Sequence, residues 1–189
     1  MRLFALCRHG ETTLNVERRI NGDPSVPVTL TDQGVVEARL LGIQVAHLPL
    51  DLCVHTRFER SRRTAEVALE GRDVPFVEEP LLDDIYIGDL EGQSIDDYRR
   101  WKAEHTRADR FPGGESLDEA AARYGVAYRK LLEGTASIVL VVCHEIPVRY
   151  ALNAASGSPD LDGPVHDIPN ATPFLFSEDE VARAAERLR

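Results

Sequence analysis

The segment Ile138–Cys143 is an uninterrupted run of six apolar residues, and it constrains the fold more than any other part of the chain. A run of this length is typical of a strand in the middle of a sheet, covered on both faces. It is far short of the ~20 residues that a membrane-spanning helix needs. We therefore expect a central strand with helices packed on both sides of it.

Apolar segments of strand length alternate along the chain with segments of helical periodicity. The predicted strands are residues 3–7, 52–55, 74–77, 138–143 and, at one edge, 173–176. The predicted helices are residues 31–47, 58–69, 94–104, 116–132, 147–155 and 178–188. This order predicts a three-layer α/β/α sandwich with a mostly parallel central sheet. We expect a single domain over residues 1–189, with a small helical lid over roughly residues 93–115.

Two histidines follow predicted strands directly. Arg8-His9 comes after the first strand, and His144-Glu145 comes after the fourth. Because ligands of such sheets bind at the carboxyl ends of the strands, both imidazoles are expected at one rim. An arginine-rich helix, with Arg60 near its start, follows the second strand and can complete an anion pocket there. The acidic segment 82–92 can place a carboxylic acid over that pocket, ready to donate a proton.

With these motifs in order, the sequence resembles the histidine phosphatase superfamily, in its phosphoglycerate-mutase-like, phosphatase-type branch. The similarity runs over nearly the whole chain, and its first motif is the most specific. The matching pieces are Arg8-His9-Gly10-Glu11-Thr12 with Asn15, Gly22, Leu30-Thr31 with Gly34 and Ala38, Arg60 with Thr64-Ala65, Gly88 with Glu91-Gly92, Gly113-Gly114-Glu115-Ser116, Val141-Val142-Cys143-His144, and Asn170.

The resemblance implies a phosphomonoesterase that hydrolyses a small phosphorylated metabolite through a phosphohistidine on His9. Arg8, Arg60 and His144 would bind the transferring phosphoryl group, and Asp84 would be the proton donor. The candidate substrate-binding residues are Thr12, Asn15, Gly22 and Glu145. No metal and no other cofactor is implied.

Three positions depart from the family pattern. Asp84 stands where the family usually has Glu, so Asp83 or Glu91 is a candidate to compensate for its shorter reach. Glu145 stands where the family usually has Gly, and its charge should weaken anion binding unless it points away or pairs with an arginine such as Arg57. Thr56 replaces the usual Ser.

The chemistry makes demands on protonation. His9 must be neutral, with its second ring nitrogen donating to a fixed acceptor such as a backbone carbonyl. We expect His144 to be protonated when it donates to the bound anion. Asp84 needs a raised pKa, through burial or through neighbouring carboxylates such as Asp83, Asp89 and Glu91.

Three alternatives stay open from the sequence. The first is a phosphoglycerate mutase-type phosphotransferase, which the short segment after Gly92 disfavours. The second uses Cys143 as nucleophile, because Cys143 and Arg149 have the spacing found in tyrosine phosphatases. The third is a non-catalytic pseudophosphatase that binds phosphorylated ligands. It is suggested by Asp84 and Glu145, which depart from the usual family residues.

The remaining expectations come from composition. A net charge of −10 disfavours nucleic-acid binding. The three cysteines are an odd number, widely spaced, and are expected to be reduced and buried. No apolar segment has the length of a signal peptide or a membrane span, so a cytoplasmic location is expected. A small phosphate ester is the expected partner, and homodimerisation is left open.

Overall fold

The computed structural model describes residues 2–189. Five strands form one sheet: β1 (Leu3–Arg8), β2 (Leu52–His55), β3 (Phe76–Glu78), β4 (Ile138–Cys143) and β5 (Phe174–Ser177). Their order across the sheet is β3-β2-β4-β1-β5. β5 runs antiparallel to β1 at one edge, and every other pairing is parallel. The predicted α/β fold with a mostly parallel central sheet is confirmed.

Seven α-helices surround this sheet. They are α1 (Thr13–Val16), α2 (Asp32–Gln44), α3 (Glu59–Ala68), α4 (Ile95–Glu104), α5 (Leu117–Glu133), α6 (Glu145–Ala155) and α7 (Glu178–Arg187). Two short 3₁₀ turns, Pro80–Leu82 and Gly88–Leu90, lie between β3 and α4. No helix within residues 2–189 combines the length and the apolar character needed to cross a bilayer.

The central strand β4 divides its side chains between two cores. Val139 and Val141 pack with residues of α5, α6 and α7 on one face of the sheet. Leu140 and Val142 pack with residues of α2 and α3 on the other face. Alternate side chains of a strand point to opposite faces, so an apolar residue is needed at every position. As expected, the apolar run is uninterrupted because β4 is a central strand that is covered on both faces.

The differences from the predicted elements include two boundaries and one helix that was not predicted. β3 is Phe76–Glu78 rather than residues 74–77, because Pro75 has no N–H to offer a ladder and only its carbonyl is used, by the amide of Cys53. α6 begins at Glu145 rather than at Pro147, since a proline in the first turn of a helix interrupts no helical hydrogen bond. The single turn α1, capped by Thr12, was not predicted.

All three cysteines are free and buried, as expected. The expected single domain, the lid and the homodimer stay predictions.

Candidate active site

The carboxyl ends of β1 and β4 bring the two histidines together. Arg8 lies beside Cys143 in the parallel register, and the amide of His9 donates to the carbonyl of Cys143 at 3.0 Å. The rings of His9 and His144 are 5.4 Å apart between centroids and meet edge to face. The predicted shared rim is therefore present.

A cavity of about 560 Å³ opens at this rim. The helix α4 contributes to its wall, so part of the predicted lid segment lies on the cavity. The lining residues are Arg8, His9, Thr12, Leu14, Asn15, Arg19, Ile20, Asn21, Gly22, Val28, Arg60, Asp84, Ile85, Ile87, Ile95, Tyr98, Arg99, Lys102, Ala103, Glu145, Ile146, Arg149, His166 and Asp167. Every sequence-predicted site residue is among them except His144, which is fully buried directly behind the cavity.

The imidazole of His9 is buried and held in one tautomer. Its Nδ1 lies 2.8 Å from the carbonyl oxygen of Gly10, which can only accept, so Nδ1 carries the proton. Its Nε2 accepts from Nε of Arg60 at 3.0 Å. Burial first, and then the charges of Arg60 and Arg8, lower the pKa of His9 well below its usual value. His9 is thus neutral with a lone pair on Nε2, as the chemistry requires.

Arg60 is the buried centre of the site. Besides His9, its guanidinium donates through Nη1 to Oδ1 of Asn21 and through Nη2 to Oδ2 of Asp84, the latter at 3.1 Å. The guanidinium carbon also lies 4.1 Å from the centroid of the Phe58 ring. These contacts fix the plane of the guanidinium group. Asn21 was not predicted as a site residue; its only sequence signal is that it precedes Gly22.

His144 is anchored from behind by a chain of hydroxyl groups. Its Nε2 lies 2.9 Å from Oγ1 of Thr56, which lies 2.7 Å from Oγ of Ser61, and that hydroxyl donates to the carbonyl of Phe58 at 2.9 Å. Read from this last carbonyl, the chain makes Nε2 of His144 the donor. Its Nδ1 then accepts from Arg60 at 3.2 Å. Burial and the charge of Arg60 hold the pKa of His144 well below its usual value, so the free protein has this ring neutral.

Asp84 lies between Arg60 and His144, with Oδ2 at 3.5 Å from Nδ1 of His144. Burial raises its pKa, while Arg60 opposes the increase. The neighbouring carboxylate that raises the pKa further is Glu145, not Asp83, Asp89 or Glu91 as expected from the sequence. The raised pKa of Asp84 agrees with the expectation, but the carboxylate that contributes to it is a different one.

Asp83 and Glu91 do not substitute for Asp84. Asp83 accepts from the backbone amide and from Nε of Arg57, at 3.0 and 2.6 Å. Glu91 accepts from the amide of Gly22 at 2.7 Å and from the side-chain amide of Asn21 at 2.7 Å, so both of its oxygens bind the loop that contains these two residues. The idea that either compensates for a shorter Asp84 is therefore wrong.

Glu145 pairs with Arg8 at 3.0 Å and with Arg149 at 3.3 Å. The expected partner Arg57 is wrong, because Arg57 is bound to Asp83. Nε of Arg8 is buried and has no hydrogen-bond partner within residues 2–189. Nη1 of Arg8 is shared between Glu145 and the carbonyl of Ile168.

The other predicted binding residues serve the loop after β1. Thr12 caps α1, and Oδ1 of Asn15 accepts from its hydroxyl at 2.9 Å. Gly22 lies so close to the carbonyl of Ile85 that an added Cβ would be 2.1 Å from that oxygen. At Gly10 an added Cβ would be 2.5 Å from the carbonyl oxygen of Gly34, so Gly10 lets the loop pack on α2. The close approach at Gly10 is thus to protein backbone.

Arg123 of α5 is a supporting residue that sequence reasoning missed. Its guanidinium donates to the carbonyls of Leu81, Asp83 and Asp84 at 3.0, 2.9 and 3.3 Å, and it is paired with Glu115. It therefore holds the backbone on which Asp84 is mounted. A signal was present, because Arg123 lies at helical spacing from the buried Ala120 and Ala127.

Nearly the whole chain matches one known protein family. Residues 4–187 match the model of the histidine phosphatase superfamily, branch 1. This chain belongs to the histidine phosphatase superfamily. The resemblance expected from the motifs is confirmed.

Three similar proteins illustrate the relationship. Over 91 residues (48% of this chain and 44% of the relative), the chain is 43% identical to the adenosylcobalamin/alpha-ribazole phosphatase of Salmonella typhimurium. Over 164 residues (82% of this chain and 74% of the relative), it is 32% identical to a Serratia proteamaculans protein named "Probable phosphoglycerate mutase GpmB". The solved structure of Bacillus stearothermophilus YhfR has a TM-score of 0.81 at 26% identity, covering 92% of this chain and 89% of that one. The alignment thus spans less than half the length of the first relative.

The geometry of this member of the histidine phosphatase superfamily is unfavourable for a cysteine nucleophile. The side chain of Cys143 lies wholly in the core, and burial raises its pKa to about 12. The attacking species would be a thiolate in contact with the cavity, and neither condition is met. Arg149 is bound to Glu145 and Asp162. The hypothesis of a Cys143–Arg149 phosphatase site is therefore wrong.

Within residues 2–189 no group of three or more His, Cys, Asp or Glu side chains is arranged to hold a metal ion.

Proposed function

We propose that this chain is a phosphomonoesterase that hydrolyses small phosphate esters through a phosphohistidine on His9, with arginine side chains rather than a metal ion binding the phosphoryl group. The observation that carries the proposal is the state of His9. Its Nδ1 proton is fixed on the carbonyl of Gly10, and its Nε2 lone pair faces the guanidinium of Arg60 at the cavity wall.

In the first step Nε2 of His9 attacks phosphorus, and the bond between phosphorus and the ester oxygen breaks. Most of the rate enhancement comes from fixed cations at the equatorial oxygens. Arg60 and Arg8, which both line the cavity, supply them. The bound dianion favours a proton on Nδ1 of His144, which then donates to the anion as well.

Asp84 manages the proton of the leaving group. In its acid form it protonates the departing alkoxide, so that a neutral alcohol leaves. In the second step the Asp84 carboxylate takes a proton from water as the water oxygen attacks the phosphohistidine. The P–N bond breaks, inorganic phosphate is released, and His9 returns to its neutral tautomer.

Trapping of the intermediate tests the proposal. Rapid acidic or denaturing quench during turnover of a ³²P-labelled ester, analysed under conditions that preserve phosphohistidine, should leave label on the wild-type chain. His9→Ala should take up no label and show no turnover. Label on another residue, or turnover by His9→Ala, would contradict the proposal. Binding of vanadate with no turnover of any ester would favour the pseudophosphatase alternative.

A mutase activity is the second candidate, and it is favoured by the similarity to the Serratia protein named as a phosphoglycerate mutase. Incubation with 3-phosphoglycerate separates the two. Release of inorganic phosphate without formation of 2-phosphoglycerate supports the phosphatase, and isomer formation in excess of phosphate supports the mutase.

A further inference from the structure

Glu145 is placed where it meets both the phosphate site and the remainder of a bound ester. It follows His144 directly, opens α6, and lines the cavity. One of its oxygens lies 3.0 Å from Arg8 and the other 3.3 Å from Arg149. The carboxylate is two-thirds buried, so its charge is only partly screened by water.

The cavity is also lined by four cations besides Arg8 and Arg60, and each of the four already has a carboxylate partner. These are Arg149, Lys102, Arg19 and Arg99. Arg149 lies between Glu145 and Asp162, and Lys102 of α4 also pairs with Asp162, at 3.3 Å. Arg19 and Arg99 are exposed at the outer edge, where they face Glu17 and Asp96. A second anion beside the phosphate would compete with these carboxylates for the same cations.

A leaving group that reaches Glu145 meets a hydrogen-bond acceptor that carries a negative charge. An alcohol or an amine on the leaving group can donate to this carboxylate. A carboxylate can only accept, so it meets Glu145 as a like charge.

From this arrangement we infer that Glu145 determines specificity by the charge of the leaving group, favouring neutral or cationic alcohols over those that carry a carboxylate next to the phosphate. The inference rests on the proposed phosphatase function. It concerns selection among esters rather than the chemical step.

Three esters of similar size and different charge make the test. They are phosphoglycolate, 2-hydroxyethyl phosphate and O-phosphoethanolamine, which carry an anionic, a neutral and a cationic leaving group. In the wild type, kcat/KM for phosphoglycolate should be about tenfold or more below that for 2-hydroxyethyl phosphate, with phosphoethanolamine equal to or above the neutral ester. In Glu145→Gln the three values should converge to within about threefold.

The inference is tested by the ratios of kcat/KM between the esters, not by the absolute rates. Glu145 also raises the pKa of Asp84, so its removal changes all three rates together. Such a common change cancels in a ratio. Asp167→Asn is the matched control, because it removes an exposed negative charge from the cavity mouth that forms no ion pair with Arg8. Its ratios should equal those of the wild type.

Unchanged ratios in Glu145→Gln, or a wild type that prefers phosphoglycolate, would overturn the inference. Glu145→Gly, which introduces the residue usual in the family, must give the same convergence, so a failure of the Gln variant to fold leaves the test intact. If the wild type hydrolyses none of the three esters, dissociation constants measured by calorimetry in the His9→Ala background, with and without Glu145→Gln, decide the inference by the same ratios. The trapping of a phosphohistidine decides the proposed function separately.

Discussion

Nε of Arg60 lies 3.0 Å from Nε2 of His9, so the guanidinium donates to the lone pair that would attack phosphorus. An N–H that occupies this lone pair blocks attack until a phosphoryl oxygen takes over as its acceptor. The same contact disfavours a proton on Nε2. In the free protein the charge of Arg60 thus adds to burial in keeping His9 neutral. Under the proposed function, the guanidinium donates to the substrate instead when an ester binds.

The first prediction separates these two effects of Arg60. Arg60→Ala should lower kcat/KM by about 10²–10³-fold, because a fixed cation at the phosphoryl oxygens is lost. It should also raise the pKa of His9, since the Arg60 charge is one of the causes that lower it. The titration of the His9 ring, followed by NMR in ¹³C-histidine-labelled protein, should move to higher pH.

Arg60→Lys is the control, because it keeps the charge and loses the planar set of donors. It should be nearly as slow as Arg60→Ala while the His9 titration stays low. A His9 pKa that is the same in all three proteins would show that Arg60 does not set its protonation state.

The second prediction concerns Asp84 and the leaving group. An alkoxide needs a proton as it departs, whereas p-nitrophenolate does not. Asp84→Asn should therefore cost about 100-fold in kcat/KM on an alkyl phosphate and less than about tenfold on p-nitrophenyl phosphate. Equal losses on the two substrates would remove the acid role.

The pH dependence follows from the raised pKa of Asp84. The acid form is the active one in the first step, so it is available below the raised pKa and is lost as pH increases through it. Turnover of the alkyl ester should fall on this alkaline side in the wild type. Asp84→Glu, which restores the usual family residue, should retain most activity and a similar alkaline decline.

The clustering of the candidate site residues could be predicted from the sequence because they stand next to features with strong local signals. Arg8 ends β1, and His9 and His144 directly follow β1 and β4, two apolar strands whose carboxyl ends meet at one rim. Arg60 lies at the start of α3, the helix that follows β2.

The partners of these residues could not be predicted, since they are chosen by tertiary packing. Glu145 paired with Arg8 across two chain segments that only the fold brings together. Its pair with Arg149 is an i,i+4 contact within α6, which was missed because that helix was predicted to begin at Pro147. Asn21 reaches Arg60 from a loop with no periodic pattern. The start of α6 was predicted at Pro147 because proline is typical of the first turn of a helix. Proline is accepted anywhere in that turn, so its position alone did not show that the helix begins two residues earlier, at Glu145.

The third prediction tests the hydroxyl chain behind His144. Thr56→Val removes the acceptor for a fully buried Nε2, which should cost about 1–3 kcal/mol in the free energy of unfolding. Without Thr56 the tautomer of His144 is no longer fixed, so kcat should fall by about tenfold as well. Urea unfolding and steady-state kinetics measure the two effects. Thr56→Ser keeps the hydroxyl and should be close to the wild type in both; a Val variant with unchanged kcat would mean that Thr56 serves stability alone.

The fourth prediction assigns Arg123 a positioning role. Arg123→Met leaves the carbonyls of Leu81, Asp83 and Asp84 without this donor and should lower stability by about 2–4 kcal/mol. A displaced Asp84 should also make the variant more sensitive to the leaving group, as in Asp84→Asn but more weakly. Arg123→Lys should recover part of both. A loss that is the same for alkyl and p-nitrophenyl esters would show that Arg123 acts on folding and not through Asp84.

The fifth prediction concerns the contact between α5 and the end of α7. A Cβ added at Gly125 would lie 1.8 Å from the carbonyl oxygen of Leu188 and 2.9 Å from its carbon, both of which are backbone atoms. Backbone cannot move aside as a flexible side chain can, so Gly125→Ala should cost about 2–4 kcal/mol in urea unfolding, despite the higher helix propensity of alanine. Gly134→Ala is the matched control, because there the nearest atom is 3.4 Å away and φ is −67°. Its stability should stay within about 0.5 kcal/mol of the wild type. A Gly125→Ala variant as stable as this control would show that α7 can separate from α5 without cost to the core.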